Sequence, residues 1–338
     1  MMTTAAEPTA PAGLAEPSSQ VDVLVVIVNY RSAALTVDCL ASLADEVRLQ
    51  PGVLVAVVEN DSGPDQFAQI RAEVDRRGWG DWVRVVAADR NGGFAAGNNV
   101  AIRPALRWAR PPALFWLLNP DTVVRPGALA ALTTFLADRP AVGLVGSRLE
   151  NPDGSPQFST FPFPSVLGEF EGGLRFGPVT NWLGDRAVFR PIPEGPAPVD
   201  WIAGASLMVR REVFDAVGLL DERYFMYYEE VDFCRRAATA GWPCWYVPSS
   251  RVVHLVGQSS DVTSAAGATR RRPRYWFEAR KLYFLTHHGR LRTVAANVLH
   301  VAAFASYRLR RLVQRKPDAD PRLMLWDLVR YNFLPVRR

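Results

Sequence analysis

The feature that most restricts this chain is a recurring pattern in which a short, unbroken apolar run stops at a polar cluster. Residues 21–28 stop at Asn29 and Tyr30, residues 53–58 at Glu59, Asn60 and Asp61, and residues 114–118 at Asn119, Pro120 and Asp121. Residues 83–87 stop short of the glycine-rich stretch from Asn91 to Asn99. Stretches with helical spacing, such as residues 35–49, lie between the runs. Strands that are apolar throughout are buried on both faces, and their alternation with helices predicts an α/β fold with a mostly parallel sheet covered on both sides. Ligands of such sheets bind beyond the carboxyl ends of the strands, where each polar cluster falls.

The rest of the chain departs from this regularity. A further strand is expected at residues 141–147, but residues 151–198 are crowded with Pro, Gly and aromatics and predict an excursion of short strands and adaptable loop. Regular pattern resumes at residues 201–210, helices follow near Arg211 and over residues 229–240, and from Tyr275 the chain is Arg-rich and helical. The expected organisation is a disordered leader over residues 1–20, an α/β domain over 21–260, and an Arg-rich loop with a helical extension over 261–338. At 338 residues and 49% hydrophobic, the chain can bury a substantial core.

Charge and cysteine content exclude several classes. The net charge is +5, with the basic excess late in the chain, and all but Lys281 and Lys316 of the 39 cations are arginine. Uneven charge without a recognisable nucleic-acid module implies a local anionic partner and no nucleic acid. Cys39, Cys234 and Cys244 are too few and too irregularly spaced for a disulfide framework or a zinc site, and predict a cytoplasmic, reducing setting. The first 20 residues have neither the cationic start nor the apolar core of a signal peptide, and no apolar stretch reaches the roughly 18 residues a spanning helix needs.

Four clusters could carry chemistry. Asp121, just past a buried run, could hold Mg²⁺ or Mn²⁺ against two phosphates, or could cap a helix over residues 126–137. Asn91-Gly92-Gly93-Phe94-Ala95-Ala96-Gly97-Asn98-Asn99 could let a ribose and phosphates approach the backbone, or could be a simple strand-to-helix turn. It is neither a Walker loop nor a Gly-x-Gly-x-x-Gly fingerprint. Glu229, Glu230 and Asp232 open a helix, where acids complement the dipole and pair with cations, or where one could act as a general base. His254 ends a β-branched run; facing Asp121, it would complete a divalent-metal site.

With these clusters in this order, the chain resembles the family 2 glycosyltransferases of the GT-A fold, in particular the bacterial rhamnosyltransferase-like branch, over about residues 23–289. The resemblance implies that Val28, Asn29, Tyr30, Glu59, Asn60 and Asp61 hold the nucleobase and ribose. It assigns Asn91, Gly92, Gly93, Phe94, Gly97 and Asn98 to the ribose and phosphates, and Trp201, Gly204 and Ala205 to a strand lining the donor-sugar and acceptor pocket. Asn119-Pro120-Asp121 stands where the family has its metal-binding Asp-x-Asp variant, so Asp121 inherits the metal role and Asn119 does not act as an equal carboxylate ligand. His254 with Gly257 and Ser259 resembles a His-x-x-Gly-x-Ser element and adds a metal or phosphate role. Glu230 occupies the family's base position, with Glu229 and Asp232 as alternatives.

The mechanism so implied is an inverting single displacement, with a divalent metal stabilising the departing diphosphate. The resemblance also implies a nucleoside-diphosphate sugar donor, with dTDP-L-rhamnose preferred, and a polyprenyl-diphosphate-linked saccharide acceptor. Arg270 to Arg274 could close over the donor or acceptor diphosphate, or could form a solvated basic loop. Residues 294–307, apolar between Arg292 and Arg308, are too short to span a bilayer but could lie in its headgroup layer at the inner face of the cytoplasmic membrane, or could pack on the catalytic domain. A nucleotidyltransferase, a dinucleotide oxidoreductase and a non-catalytic sugar-nucleotide-binding or membrane scaffold are the alternatives.

Overall fold

The computed structural model describes residues 14–184, 188, 191–255 and 270–334. The four apolar runs become β1 (Val23–Asn29), β2 (Val53–Glu59), β3 (Val83–Ala87) and β4 (Leu114–Leu118). They lie in the order β3-β2-β1-β4, all parallel. Every residue of β1 and β2 is buried, as unbroken apolar runs require. Val23, Val25 and Ile27 face one hydrophobic cluster and Leu24 and Val26 the other, so the period-two alternation of a strand serves two cores. Helices α1 (Ala33–Leu49) and α2 (Pro64–Arg76) cover the first face, and α3 (Gly93–Ala105) covers the second.

Beyond β4 the sheet turns mixed. The remaining elements of this half are β5 (Thr122–Val124), α4 (Ala128–Ala137) and β6 (Leu144–Glu150). The excursion holds β7 (Thr160–Phe161) and β8 (Ala197–Val199). It also forms two helices, α5 (Val166–Leu174) and α6 (Gly177–Leu183), where a loop with short strands was expected. The Ser165 side chain accepts from the Gly168 amide at 3.0 Å and starts α5. The stretch 201–210 is split into β9 (Trp201–Ile202), paired with β7, and β10 (Ser206–Arg210), which inserts antiparallel between β4 and β6. After α7 (Arg211–Val217) and α8 (Glu229–Thr239), β11 (Cys244–His254) runs parallel to β6. The main sheet among the described residues has nine strands.

The C-terminal helices are α9 (Arg274–Val313), broken at Gly289 where φ is 73°, and α10 (Met324–Phe333). The first half of α9 packs on α8 through Tyr283 and Phe284, and the second half lies along α5. Buried Arg280 ties the halves together, donating to Glu169 of α5 at 2.7 Å and to Asn297 at 2.6 Å.

One further expectation is corrected. The leader is anchored before residue 20: Leu14 is buried, its carbonyl accepts from Trp108 Nε1 at 3.4 Å, and the Glu16 carboxylate accepts from the Ala109 amide at 3.0 Å. Residues 1–13 lie outside the described residues. In the Arg270–Arg274 stretch, Arg271 pairs with Asp327 of α10 at 2.6 Å and Arg274 with Glu278 at 2.6 Å. Each is held by a carboxylate the sequence places out of view or one turn ahead on its own helix.

Candidate functional site

The polar clusters meet on one rim because β1, β2, β4 and β11 all point their carboxyl ends the same way, while antiparallel β10 begins there. Hydrogen bonds stitch the loops together. The Asn60 amide donates to Asn29 O at 2.9 Å, and Asn60 Nδ2 donates to Asn91 Oδ1 at 3.1 Å and to Gly93 O at 3.2 Å. The Phe94 amide donates to Phe225 O at 2.9 Å, and the Asn119 amide to Ala205 O at 3.0 Å. Asp61, with φ of 56°, and Glu59, which accepts from the Ser62 amide at 2.9 Å, shape the turn after β2.

At the end of β1, Asn29 is fully buried and its Oδ1 accepts from Ser32 Oγ at 3.1 Å and Thr36 Oγ1 at 2.9 Å. Its Nδ2 has no hydrogen-bond partner among the described residues. An unsatisfied buried donor costs about 1–3 kcal/mol, a cost an acceptor on a ligand would remove. Tyr30, half-buried beside it, carries the Arg31 guanidinium 5.1 Å from its ring centre.

The glycines divide by purpose. Gly93 has φ of 78° and its backbone lies so near Phe225 that an added Cβ would come within 1.7 Å of that carbonyl oxygen. Only glycine lets the two loops touch. Gly97 and Val28 are explained by packing, since a Cβ on Gly97 would meet Val28 Cγ1 at 2.7 Å, and Gly92 similarly accommodates the Ala96 methyl at 2.5 Å. Asn98 donates to Phe94 O at 2.9 Å, and Asn99 is structural, donating to Leu220 O at 2.8 Å.

Asp121 is released from the helix-capping role. The α4 amides of Gly127 and Leu129 are capped by Glu46 of α1, at 2.6 and 2.9 Å. Asp121 Oδ1 stands 3.5 Å from His254 Nε2, with the carboxylate buried. A carboxylate oxygen beside an imidazole is a donor set that would suit Mg²⁺ or Mn²⁺. Among the described residues no group of three or more His, Cys, Asp or Glu is arranged for a metal. Gly257 and Ser259 lie outside the described residues.

The acids of α8 part company. Tyr227 and Tyr228 take consecutive left-handed conformations, with φ of 73° and 69°, and swing the helix start toward the rim. Two such residues in a row store strain, and such strain clusters at working sites. Glu230 lies against Gly204, where an added Cβ would be 3.7 Å from Glu230 Cβ and 3.2 Å from the Phe94 ring. Burial raises the Glu230 carboxyl to about 7, opposed by backbone amides including that of Gly204. Burial, and then the charge of Glu230, push Glu229 well above the usual range. Asp232 is removed from the candidate bases: it binds Arg236 at 2.8 Å and His287 at 2.7 Å. Trp201 stacks on Phe161 at 4.6 Å in an aromatic wall shared with Tyr228.

Sequence reasoning missed Phe225, the strained tyrosines, and the roles of His287 and His300. Their partners lie far off in the chain, and no local pattern marks them.

Residues 20–283 match the family model described as glycosyltransferase like family 2. The chain is 33% identical over 251 residues to an N-acetylglucosaminyl-diphospho-decaprenol L-rhamnosyltransferase from Mycobacterium tuberculosis, covering 71% of this chain and 78% of that protein. Among solved structures it resembles the mannosyltransferase PcManGT from Pyrobaculum calidifontis in complex with GDP-Man and Mn²⁺, with a TM-score of 0.50, 16% identity and coverage of 91% of this chain and 79% of that one. It also resembles GalNAc-T7 with UDP, GalNAc and Mn²⁺, with a TM-score of 0.53, 13% identity and coverage of 88% and 56%. The architecture is that of the GT-A fold.

Proposed function

We propose that this chain, which belongs to the family 2 glycosyltransferases, is an inverting enzyme that moves a sugar from a nucleoside-diphosphate donor to a hydroxyl of a polyprenyl-diphosphate-linked saccharide. The preferred sugar is L-rhamnose from dTDP-rhamnose, supported by the name of the mycobacterial relative. The observation that carries the chemistry is Glu230, held on a strained turn against Gly204 with its carboxyl raised to about 7. A group with that affinity for protons is ionised for part of the population near neutrality and is basic enough to accept a proton from an attacking hydroxyl.

Glu230 takes that proton as the hydroxyl attacks the anomeric carbon from the side opposite the diphosphate. Glu229, more reluctant to ionise, keeps the pair from carrying two full charges. The loop from Asn91 to Asn98 and the Asn29 amide orient the nucleotide. Asp121 and His254 would hold a divalent cation, which when bound neutralises charge on the leaving diphosphate.

Membrane-surface association of the C-terminal region belongs to the same proposal. The inner face of residues 294–307 packs on α5, so the expected apolar segment serves the domain on one side. Its outer side continues an exposed stripe from Leu291, 88% exposed, through Val294 and Val298 to Val313, 77% exposed. Exposed Arg290, Arg292, Arg315 and Lys316 flank the stripe at both ends, a pattern suited to an anionic headgroup layer. No helix among the described residues is long and apolar enough to cross a membrane.

The test is nucleoside-diphosphate release from dTDP-, UDP- and GDP-sugars with lipid-linked acceptor, with and without EDTA. One donor should support acceptor-dependent release, EDTA should abolish it, and Glu230→Gln should lower kcat by about 10²–10⁴. No release from any donor by a protein that binds nucleotide would sink the proposal.

A further inference from the structure

Beside the turn that carries Glu229 and Glu230 lies a cavity of about 370 Å³, within the size of pockets that enclose small ligands. Phe161, Phe163, Trp201 and Tyr228 wall it, and Gly168 and Gly172 of α5 present backbone where side chains would fill it. The one polar atom of the Trp201 ring donates to Pro162 O at 2.9 Å. Glu169 and His300 line the floor but are bonded to each other, and Glu169 also to buried Arg280. The polar groups of Trp201, Glu169 and His300 are therefore taken, which leaves the Tyr228 and Ser165 hydroxyls in a wall that is otherwise mostly apolar. A sugar ring buried there would exchange its water for few partners, whereas a hydrocarbon chain asks only for a largely dry wall.

The mouth supplies the opposite chemistry. Arg175 ends α5 there, with its side chain 47% exposed and paired to Asp320 at 2.6 Å. Phe176 follows it, and α6 then carries Trp182, 82% exposed.

We propose that this cavity receives the first isoprene units of the acceptor lipid, with Arg175 meeting the acceptor's diphosphate at the rim. The inference rests on the reading of the chain as a transferase to a lipid-linked saccharide. Tyr228 is both cavity wall and the residue before the catalytic pair, so a chain seated in the cavity sets the distance at which the attached sugar reaches Glu230.

Gly172→Leu tests this, because nothing lies within 4 Å of an added Cβ and the side chain would occupy the cavity. Binding of a fluorescent farnesyl-diphosphate analogue to the full chain should weaken at least about tenfold in the variant, while calorimetric binding of dTDP-rhamnose is unchanged and reports an intact fold. Should Gly172→Leu lose donor binding, Phe163→Ala, which removes part of the wall, should show the same selective loss. In turnover, KM should rise for a decaprenyl-linked acceptor and stay level for the same headgroup on an ethyl chain. Undiminished prenyl binding in the variants, no prenyl binding in the wild type, or equal loss with the ethyl-linked acceptor would overturn the inference. If neither acceptor turns over while prenyl binding is present in the wild type and lost in the variant, the cavity assignment stands and the proposed reaction falls.

Discussion

The two sides of the rim are built by different means. The side proposed to take the nucleotide hangs on parallel strand ends and on backbone contacts between neighbouring loops, such as Asn60 to Asn29 and Phe94 to Phe225. The side proposed to take the acceptor, made by the excursion and α9, is held by side-chain ion pairs across long stretches of chain, such as Arg280 to Glu169 over 111 residues. The first design fixes the position of the main chain and leaves little room for substitution; the second leaves the backbone free to vary while a few charged groups hold it.

That contrast is broken most severely at Arg280. Replacing it with Met leaves Glu169 buried against a single histidine, and loss of one partner of a buried pair costs about 3–5 kcal/mol. Chemical denaturation should show this loss, with KM for the lipid acceptor raised and nucleotide affinity retained. Gly93→Ala should do the reverse. The added methyl meets the Phe225 carbonyl in a left-handed conformation, costing about 3 kcal/mol and weakening nucleotide binding before acceptor binding, as calorimetry with a dTDP-sugar would show. If both variants lost both ligands equally, the division between the two sides would not stand.

The smallest effect sharpens the comparison at the seam. Glu230 holds its proton more tightly folded than unfolded, about 7 against 4.5, so the folded state binds more protons across that window and stability falls as pH rises through it. Glu230→Gln should match the wild type below about pH 4.5 and exceed it by about 1–3 kcal/mol above pH 7, in urea titrations at each pH. Glu169 has the opposite sign. Arg280 and His300 overcome its burial and lower it to about 2, so its contribution is present above about 4.5 and lost as pH falls toward 2.

The same division decides what could be read from the sequence. Strands β1 to β4 and the clusters at their ends announce themselves because burial on both faces demands unbroken apolar runs, and ligand contacts follow strand ends. The cap of α4 is Glu46, 81 residues from the Gly127 amide it accepts from, and Asp232 is engaged by His287, 55 residues away. Helices α5 and α6 were hidden because their glycines and prolines read as loop, although α5 is started by Ser165 and held by Arg280. Periodicity reports a residue's own burial; it is silent on partners that only tertiary structure supplies.

The left-handed pair Tyr227 and Tyr228 ties the placement of Glu230 to the C-terminal helix. Each disfavours its own conformation by about 1–2 kcal/mol, so the turn leans on its neighbours. Tyr275 and Tyr283 of α9 supply that support, stacking on Tyr227 at 6.0 Å and lying 5.5 Å from Tyr228. A change that loosened α9 would thus leave the sheet and its loops in place while displacing the carboxyl proposed to accept the proton.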